Sequence, residues 1–214
     1  MTSPGRPRFG ARARWLTLAI VLAAAVIVAV WPRGGSTSSD VATPTISVPA
    51  PNLAQARAQA ALTPCPATPS SALTALTRAT VSCAASGATV EFGSVLDPVA
   101  PTLVNVWASW CQECQIELPV LASYAAGQGA VRVVTLMVQS PEGDGLQTLA
   151  SLHVHLPTVV DASGTVSKAL KLPIGLPASY LVRPDGTATL IDSLRTFSTV
   201  DQVRQAVGAT KGGQ

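Results

Sequence analysis

The constraint that weighs most on this chain is a junction. The apolar run Thr102-Leu-Val-Asn-Val106 passes without a break into Trp107-Ala-Ser-Trp-Cys111-Gln-Glu-Cys114. Such a run reads as a buried strand, and the residues after it read as a turn straight into a helix. Two cysteines three apart then fall on the first turn of that helix. Backbone N–H groups are unpaired there and the helix dipole presents its positive end, so a thiolate is favoured. A pair so placed cycles between dithiol and disulfide, with Cys111 as the exposed attacking sulfur. Cys114, one turn further in, resolves the mixed disulfide. Half of a zinc site and a static disulfide are the competing uses of this spacing. Zinc needs two more Cys or His at ligand spacing, and Cys65 and Cys83 stand too far upstream to look like a ribbon.

The 214 residues suffice for one domain and a tail. Charge is sparse and the net value of +3 misleads. Four of the 14 basic residues, Arg6, Arg8, Arg12 and Arg14, precede residue 31 with no acid among them, which leaves ten basic against 11 acidic residues over the remainder. No basic face is left for nucleic acid, and that class of partner is disfavoured. The mean hydropathy of +0.38 owes much to one segment, Trp15 to Trp31. Its 17 residues, WLTLAIVLAAAVIVAVW, are at the short end of what spans a bilayer and longer than most signal-peptide cores. A Trp at each end suits the membrane interface, and the preceding arginines belong on the cytoplasmic side. A cleaved signal peptide is the alternative, but Ala29-Val30-Trp31-Pro32 is a poor cleavage site and no cysteine there accepts a lipid. The expected organisation is a cytoplasmic tail (1–14), a transmembrane anchor (15–31), a Pro/Ser/Thr/Gly linker (32–50) and an extracytoplasmic domain (51–214), placing the protein as a single-pass membrane protein with its catalytic part outside.

The four cysteines fit that compartment, in which disulfides persist. With Cys111 and Cys114 as the working pair, Cys65 and Cys83 are left to each other. Such a bridge contributes roughly 3 kcal/mol on the chain-entropy account. Two unrelated buried thiols are the alternative.

Taken in order, Asn52 to Leu62 reads as a helix with an Asn cap, ended by Cys65-Pro66. Thr80–Cys83 and Thr89–Phe92 flank Ala-Ser-Gly87 as a hairpin, onto which the bridge ties the helix. A strand at 102–108 leads into a helix at about 111–126, which Pro119 should kink. Val131–Val138 reads as a strand covered on both faces. A helix near 144–152, a strand near 158–160 and a short helix near 165–171 come next. Ser179–Arg183 and Thr187–Ile191 flank the turn Pro184-Asp-Gly186, and Thr199–Val207 closes with a helix. The sheet should be mixed, parallel in front and antiparallel behind. Glu142-Gly-Asp-Gly145 reads as a solvated loop. His153 and His155 lack a third ligand nearby, and no metal is expected.

Over about 90–210 the chain resembles the membrane-anchored TlpA/ResA-like thiol-disulfide oxidoreductases of thioredoxin fold. The residues that carry the likeness are Leu103-Val-Asn-Val-Trp107-Ala-Ser-Trp-Cys111-x-x-Cys114-x-x-Glu117-Leu-Pro119, Gly175-Leu-Pro177 and Pro184-Asp-Gly186. The resemblance implies an α/β thioredoxin-like fold with a mixed central sheet, here with an N-terminal helix-hairpin extension (50–92) and one transmembrane helix. It implies that Pro177 is cis beside the disulfide, so that the backbone of Leu176 can pair with a substrate strand; an ordinary trans loop proline is the alternative. It also implies that Glu117 is the active-site glutamate that tunes the thiols and relays a proton, rather than a surface helix residue. Asn105 stands where thioredoxin has an aspartate, and an amide cannot take that proton. Trp110 and Trp107 can flank the site, or Trp107 can be core. Glu113 departs from a family pattern with proline there, and its carboxylate should disfavour a Cys111 thiolate unless solvent screens it.

The implied function is reduction of disulfides in exported proteins, apocytochrome c among them, with electrons from a CcdA-type membrane donor. A disulfide-forming oxidase uses the same chemistry in the other direction, and a thioredoxin-like metallochaperone or docking module would need neither cysteine as nucleophile. No cofactor is called for, and the chain is read as a monomer.

Overall fold

The computed structural model describes residues 52–70, 72–191 and 196–212. The tail, anchor and linker expected over 1–50 lie outside the described residues. Among those described, no helix is long and apolar enough to cross a membrane.

Seven strands form one sheet: β1 (Thr80–Cys83), β2 (Thr89–Glu91), β3 (Thr102–Trp107), β4 (Arg132–Met137), β5 (Thr158–Val160), β6 (Ala178–Val182) and β7 (Ala188–Ile191). They are ordered β2-β1-β5-β4-β3-β6-β7. β3, β4 and β5 run parallel, joined by helical crossovers, while β6 and β7 add antiparallel on one side. The β1–β2 hairpin adds antiparallel to β5 on the other side. The expected extension is therefore continuous with the central sheet and covers what would otherwise be the open edge of β5. The helices are α1 (Leu53–Ala60), α2 (Phe92–Val95), α3 (Gln112–Ala125), α4 (Glu142–Ser151), α5 (Thr165–Leu170) and α6 (Val200–Gly212).

The pleat sorts the core. Along β3, Leu103 and Trp107 face a cluster with Cys114, Leu118 and Leu121 of α3, Leu146 and Leu149 of α4, and Val203 and Val207 of α6. Val104 and Val106 face the opposite cluster with Phe92, Val95, Val166 and Leu170 of α2 and α5. Every residue of β3 is buried, which explains its unbroken apolar reading. Asn105, between Leu103 and Trp107, must by the two-residue period point under α3.

Local chemistry shapes the ends. Asn52 Oδ1 accepts from the N–H groups of Ala54 and Gln55 at 3.1 and 3.3 Å and starts α1. The helix stops at Ala60, where Ala61 turns left-handed (φ 45°), several residues before the expected stop at Cys65-Pro66. α3 continues through Pro119. Glu142-Gly-Asp-Gly145 is not a loop but the first turn of α4. Two acids suit a helix N-terminus, and Gly145 lies so close against the Met137 side chain that a Cβ would collide with it. Glu142 also pairs with Arg57 of α1 at 2.7 Å. α6 extends beyond the expected Val207 to Gly212.

Cys65 and Cys83 are bonded, with Cα atoms 5.9 Å apart, tying the loop after α1 to β1. His155 Nδ1 lies 2.9 Å from the Ala60 carbonyl oxygen and holds the end of α1 from the other side. Replacing both Cys65 and Cys83 by serine should lower unfolding stability by about 2–4 kcal/mol, read from urea titration with Cys111–Cys114 kept oxidised. A loss below about 1 kcal/mol would show that α1 and the hairpin are held by packing alone.

Candidate active site

β3 ends at Trp107 and the chain reaches the redox cysteines four residues later. Cys111 is not inside the first turn, as the spacing suggested, but caps it in extended conformation (φ −88°, ψ 107°). Its Sγ accepts the Cys114 backbone N–H at 3.2 Å. An N-cap acceptor of this kind is where a negative sulfur is best stabilised, by an orphan N–H and by the helix dipole together. Cys111 and Cys114 form a disulfide.

Cys111 is only 4% exposed and Cys114 wholly buried. The order of access matches expectation, but Cys111 is much less open than an exposed attacking sulfur implies. It is drawn into the cluster that also holds Trp107 and Leu118, against which Leu176 packs. Trp107 is accordingly core, while Trp110 is 60% exposed. The indole of Trp110 is nevertheless held, donating from Nε1 to the Gln139 carbonyl at 2.9 Å. Gln139 adopts a left-handed conformation (φ 48°) uncommon for its type. Ser109 N–H donates to Ser140 Oγ at 2.9 Å, and Gln115 Nε2 donates to the Ser109 carbonyl at 2.7 Å. The turn carrying Cys111 is thus pinned to the loop after β4. Nothing in the sequence signalled Gln139.

The Leu176–Pro177 peptide is cis. Glu113 is exposed to solvent, so its charge is screened, and it sits in the first helical turn where an acid suits the dipole.

Glu117 is 1% exposed, which excludes a surface role. Being three residues after Cys114, it faces inward on the same side of α3. Its Oε2 accepts from Asn105 Nδ2 at 2.7 Å and its Oε1 from the Phe197 backbone N–H at 3.0 Å. Burial pushes its pKa up to about 7, against the two hydrogen bonds that favour the carboxylate. Asn105 Nδ2 donates also to Ser179 Oγ at 3.1 Å. The site therefore contains a buried acid poised between its charged and neutral forms near neutral pH.

A model of the AhpC/TSA family matches residues 73–191, more than half of the chain. The chain belongs to the AhpC/TSA family. The match takes in the β1–β2 hairpin with Cys83, as well as the redox helix and the cis-proline, so the hairpin is part of the AhpC/TSA domain; α1 and Cys65 precede it. Within curated proteins, the soluble secreted antigen MPT53 of Mycobacterium tuberculosis is 26% identical over 51% of this chain and 62% of its own. The thiol:disulfide interchange protein DsbE of Pseudomonas aeruginosa is 34% identical over 40% of this chain and 47% of its own. The chain thus spans about half to three-fifths of these relatives. The crystal structure of a secreted M. tuberculosis disulfide oxidoreductase homologous to E. coli DsbE superposes with a TM-score of 0.53 at 26% identity, covering 62% of this chain and 96% of that one. The fold is thioredoxin-like.

Stability should report on Glu117. An acid whose pKa is raised by folding is protonated in both states below about 4.5, and its ionisation costs stability as pH rises to about 7. The oxidised protein should lose roughly 3 kcal/mol from this group between those limits, and Glu117→Gln should flatten that slope. Equal pH slopes in urea titrations of the two proteins would show that Glu117 ionises as easily folded as unfolded.

Proposed function

We propose that this chain is a thiol-disulfide oxidoreductase that reduces disulfides of exported proteins. The observation that carries this reading is Cys111 as helix N-cap, its sulfur already accepting the Cys114 N–H while bonded to Cys114. In the reduced enzyme the Cys111 thiolate attacks a substrate disulfide, forming a mixed disulfide and releasing one substrate thiolate. Cys114 then passes its proton to the Glu117 carboxylate and, as thiolate, attacks Cys111 Sγ. The enzyme disulfide forms and the second substrate thiolate leaves. Two electrons have moved from the cysteine pair to the substrate, and the proton held at Glu117 is returned to a leaving sulfur or to solvent. The backbone of Leu176 beside the cis-proline and the exposed face of Trp110 receive the substrate strand.

The finer reading keeps the expected organisation: a tail (1–14), an anchor (15–31), a linker (32–50) and a catalytic domain (51–214) outside the membrane, acting as a monomer. The DsbE and secreted relatives support exported substrates. Apocytochrome c is the substrate we favour, with a CcdA-type donor returning the enzyme to its dithiol form.

Reduced protein should reduce a model protein disulfide, Cys111→Ser should abolish the reaction, and Cys114→Ser should accumulate a mixed disulfide through Cys111. Retained turnover in Cys111→Ser would overturn the reading. Direction is read from the potential of the Cys111–Cys114 pair. A value at or below about −220 mV fits a reductase, and one near −120 to −150 mV would make the enzyme an oxidase.

A further inference from the structure

Beneath α3 the sheet carries a row of polar side chains in a layer that is otherwise apolar. Thr158 of β5 pairs in register with Thr135 of β4, Thr135 with Asn105 of β3, and Asn105 with Ser179 of β6. By the pleat all four lie on the α3 side, and all are buried. Thr158 Oγ1 donates to the Leu156 carbonyl at 3.0 Å, so the Thr135 hydroxyl donates to Thr158 at 2.8 Å and keeps an oxygen lone pair unspent. Asn105 spends both Nδ2 hydrogens, on Glu117 Oε2 and Ser179 Oγ, while its Oδ1 is buried with no hydrogen-bond partner.

That arrangement suits only one charge state of Glu117. A carboxylate accepts, and both groups facing it, Asn105 Nδ2 and the Phe197 N–H, donate. A carboxylic acid must place one hydrogen on an acceptor, and against a donating amide it has none. The acceptor it needs is the other end of the same amide. An asparagine amide is nearly symmetric in shape, so a half-turn exchanges Oδ1 and Nδ2 without repacking.

We propose that Asn105 is a positioning residue that turns its amide with the protonation of Glu117. With Glu117 ionised, Nδ2 faces Glu117 and Ser179, as observed. With Glu117 protonated at Oε2, Oδ1 faces it and accepts that hydrogen, while the Ser179 hydroxyl rotates to donate to the same oxygen. Nδ2 then occupies the unpartnered end, with the Thr135 oxygen as its in-register neighbour. Because Oδ1 has no partner now, the turn breaks no bond at that end. The consequence is a buried group that can hold or release a proton without stranding a donor against a donor. The groups facing Glu117 are Asn105 from β3, Ser179 of β6 through Asn105, the Phe197 N–H before α6, and Cys114 on its own helix; among the described residues no cation or second carboxylate pairs with it. The inference rests on Glu117 as the proton holder in the proposed reaction.

The chain has only two asparagines, Asn52 and Asn105, and four glutamates, so selective labelling resolves them. Full-length oxidised protein in detergent micelles, labelled at Asn 15Nδ2 and Glu 13Cδ, should be titrated by NMR from about pH 5 to 9, a window that brackets the expected midpoint. The Glu117 carbon and the Asn105 amide should shift with one common midpoint, and Glu117→Gln should leave the Asn105 signal flat. Asn105→Ala should raise the Glu117 midpoint by about one pH unit, a tenfold change in proton affinity, because the bond to the carboxylate is the stronger one. Ser179→Ala should raise it less, with Ser179→Thr restoring it. A Glu117 that titrates past an unmoving Asn105, or a midpoint unchanged in both Asn105→Ala and Ser179→Ala, overturns the proposal. Disulfide reduction assayed on the same samples separates the two claims. Absent turnover with co-titrating signals leaves the amide turn standing and removes the reaction, whereas turnover with a flat Asn105 signal does the reverse.

Discussion

The structure depends on one abrupt transition, from a strand buried along its whole length to a helix that begins at Cys111. A buried strand cannot bend, so the direction in which β3 delivers the chain is set by its pairing with β4 on one side and β6 on the other. The helix after it must leave its first N–H groups without intrahelical partners. Cys111 supplies one of them with an acceptor sulfur. Rigidity of the strand thus becomes precision at the sulfur, and the orphan donors of the helix start become the electrostatics of the site.

The same helix explains the buried acid. Residues three apart share a face, so a cysteine that faces the core at 114 brings residue 117 with it. A glutamate there costs desolvation, offset in part by donors from β3 and from the segment before α6. Neither term dominates: burial alone would carry the pKa higher, and two donors in water would carry it lower. Their balance leaves Glu117 near neutrality, which is the range in which a group is most useful for moving protons at physiological pH.

Much of the fold was legible. The parallel front and antiparallel back of the sheet, the cap at Asn52 and the turn at Pro184-Asp-Gly186 all rest on short-range patterns, and elements matched to within a few residues. The misses share a cause. Glu142-Gly-Asp-Gly145 looked like a loop because two glycines weaken a helix; α4 forms there because its glycines let it sit against Met137 and because Glu142 finds Arg57 across the domain. The hairpin looked like an appendage because nothing within it announces that β5 needs a neighbour. Cys111 looked exposed because a helix start usually is, whereas here the surrounding cluster closes over it.

The sequence by itself determined where the chain turns from strand to helix, which two cysteines share one helical turn, and that the sheet is mixed, since each depends on residues within a few positions of one another. Only the tertiary structure decided that Glu117 is buried and who its partners are. Asn105 lies 12 residues from it, Phe197 lies 80 from it, and Ser179 stands 74 from Asn105. Ser179 and Asn105 became neighbours through the register of β3 against β6. Desolvation belongs to the packed domain as a whole, and no local pattern encodes how much water a side chain will lose.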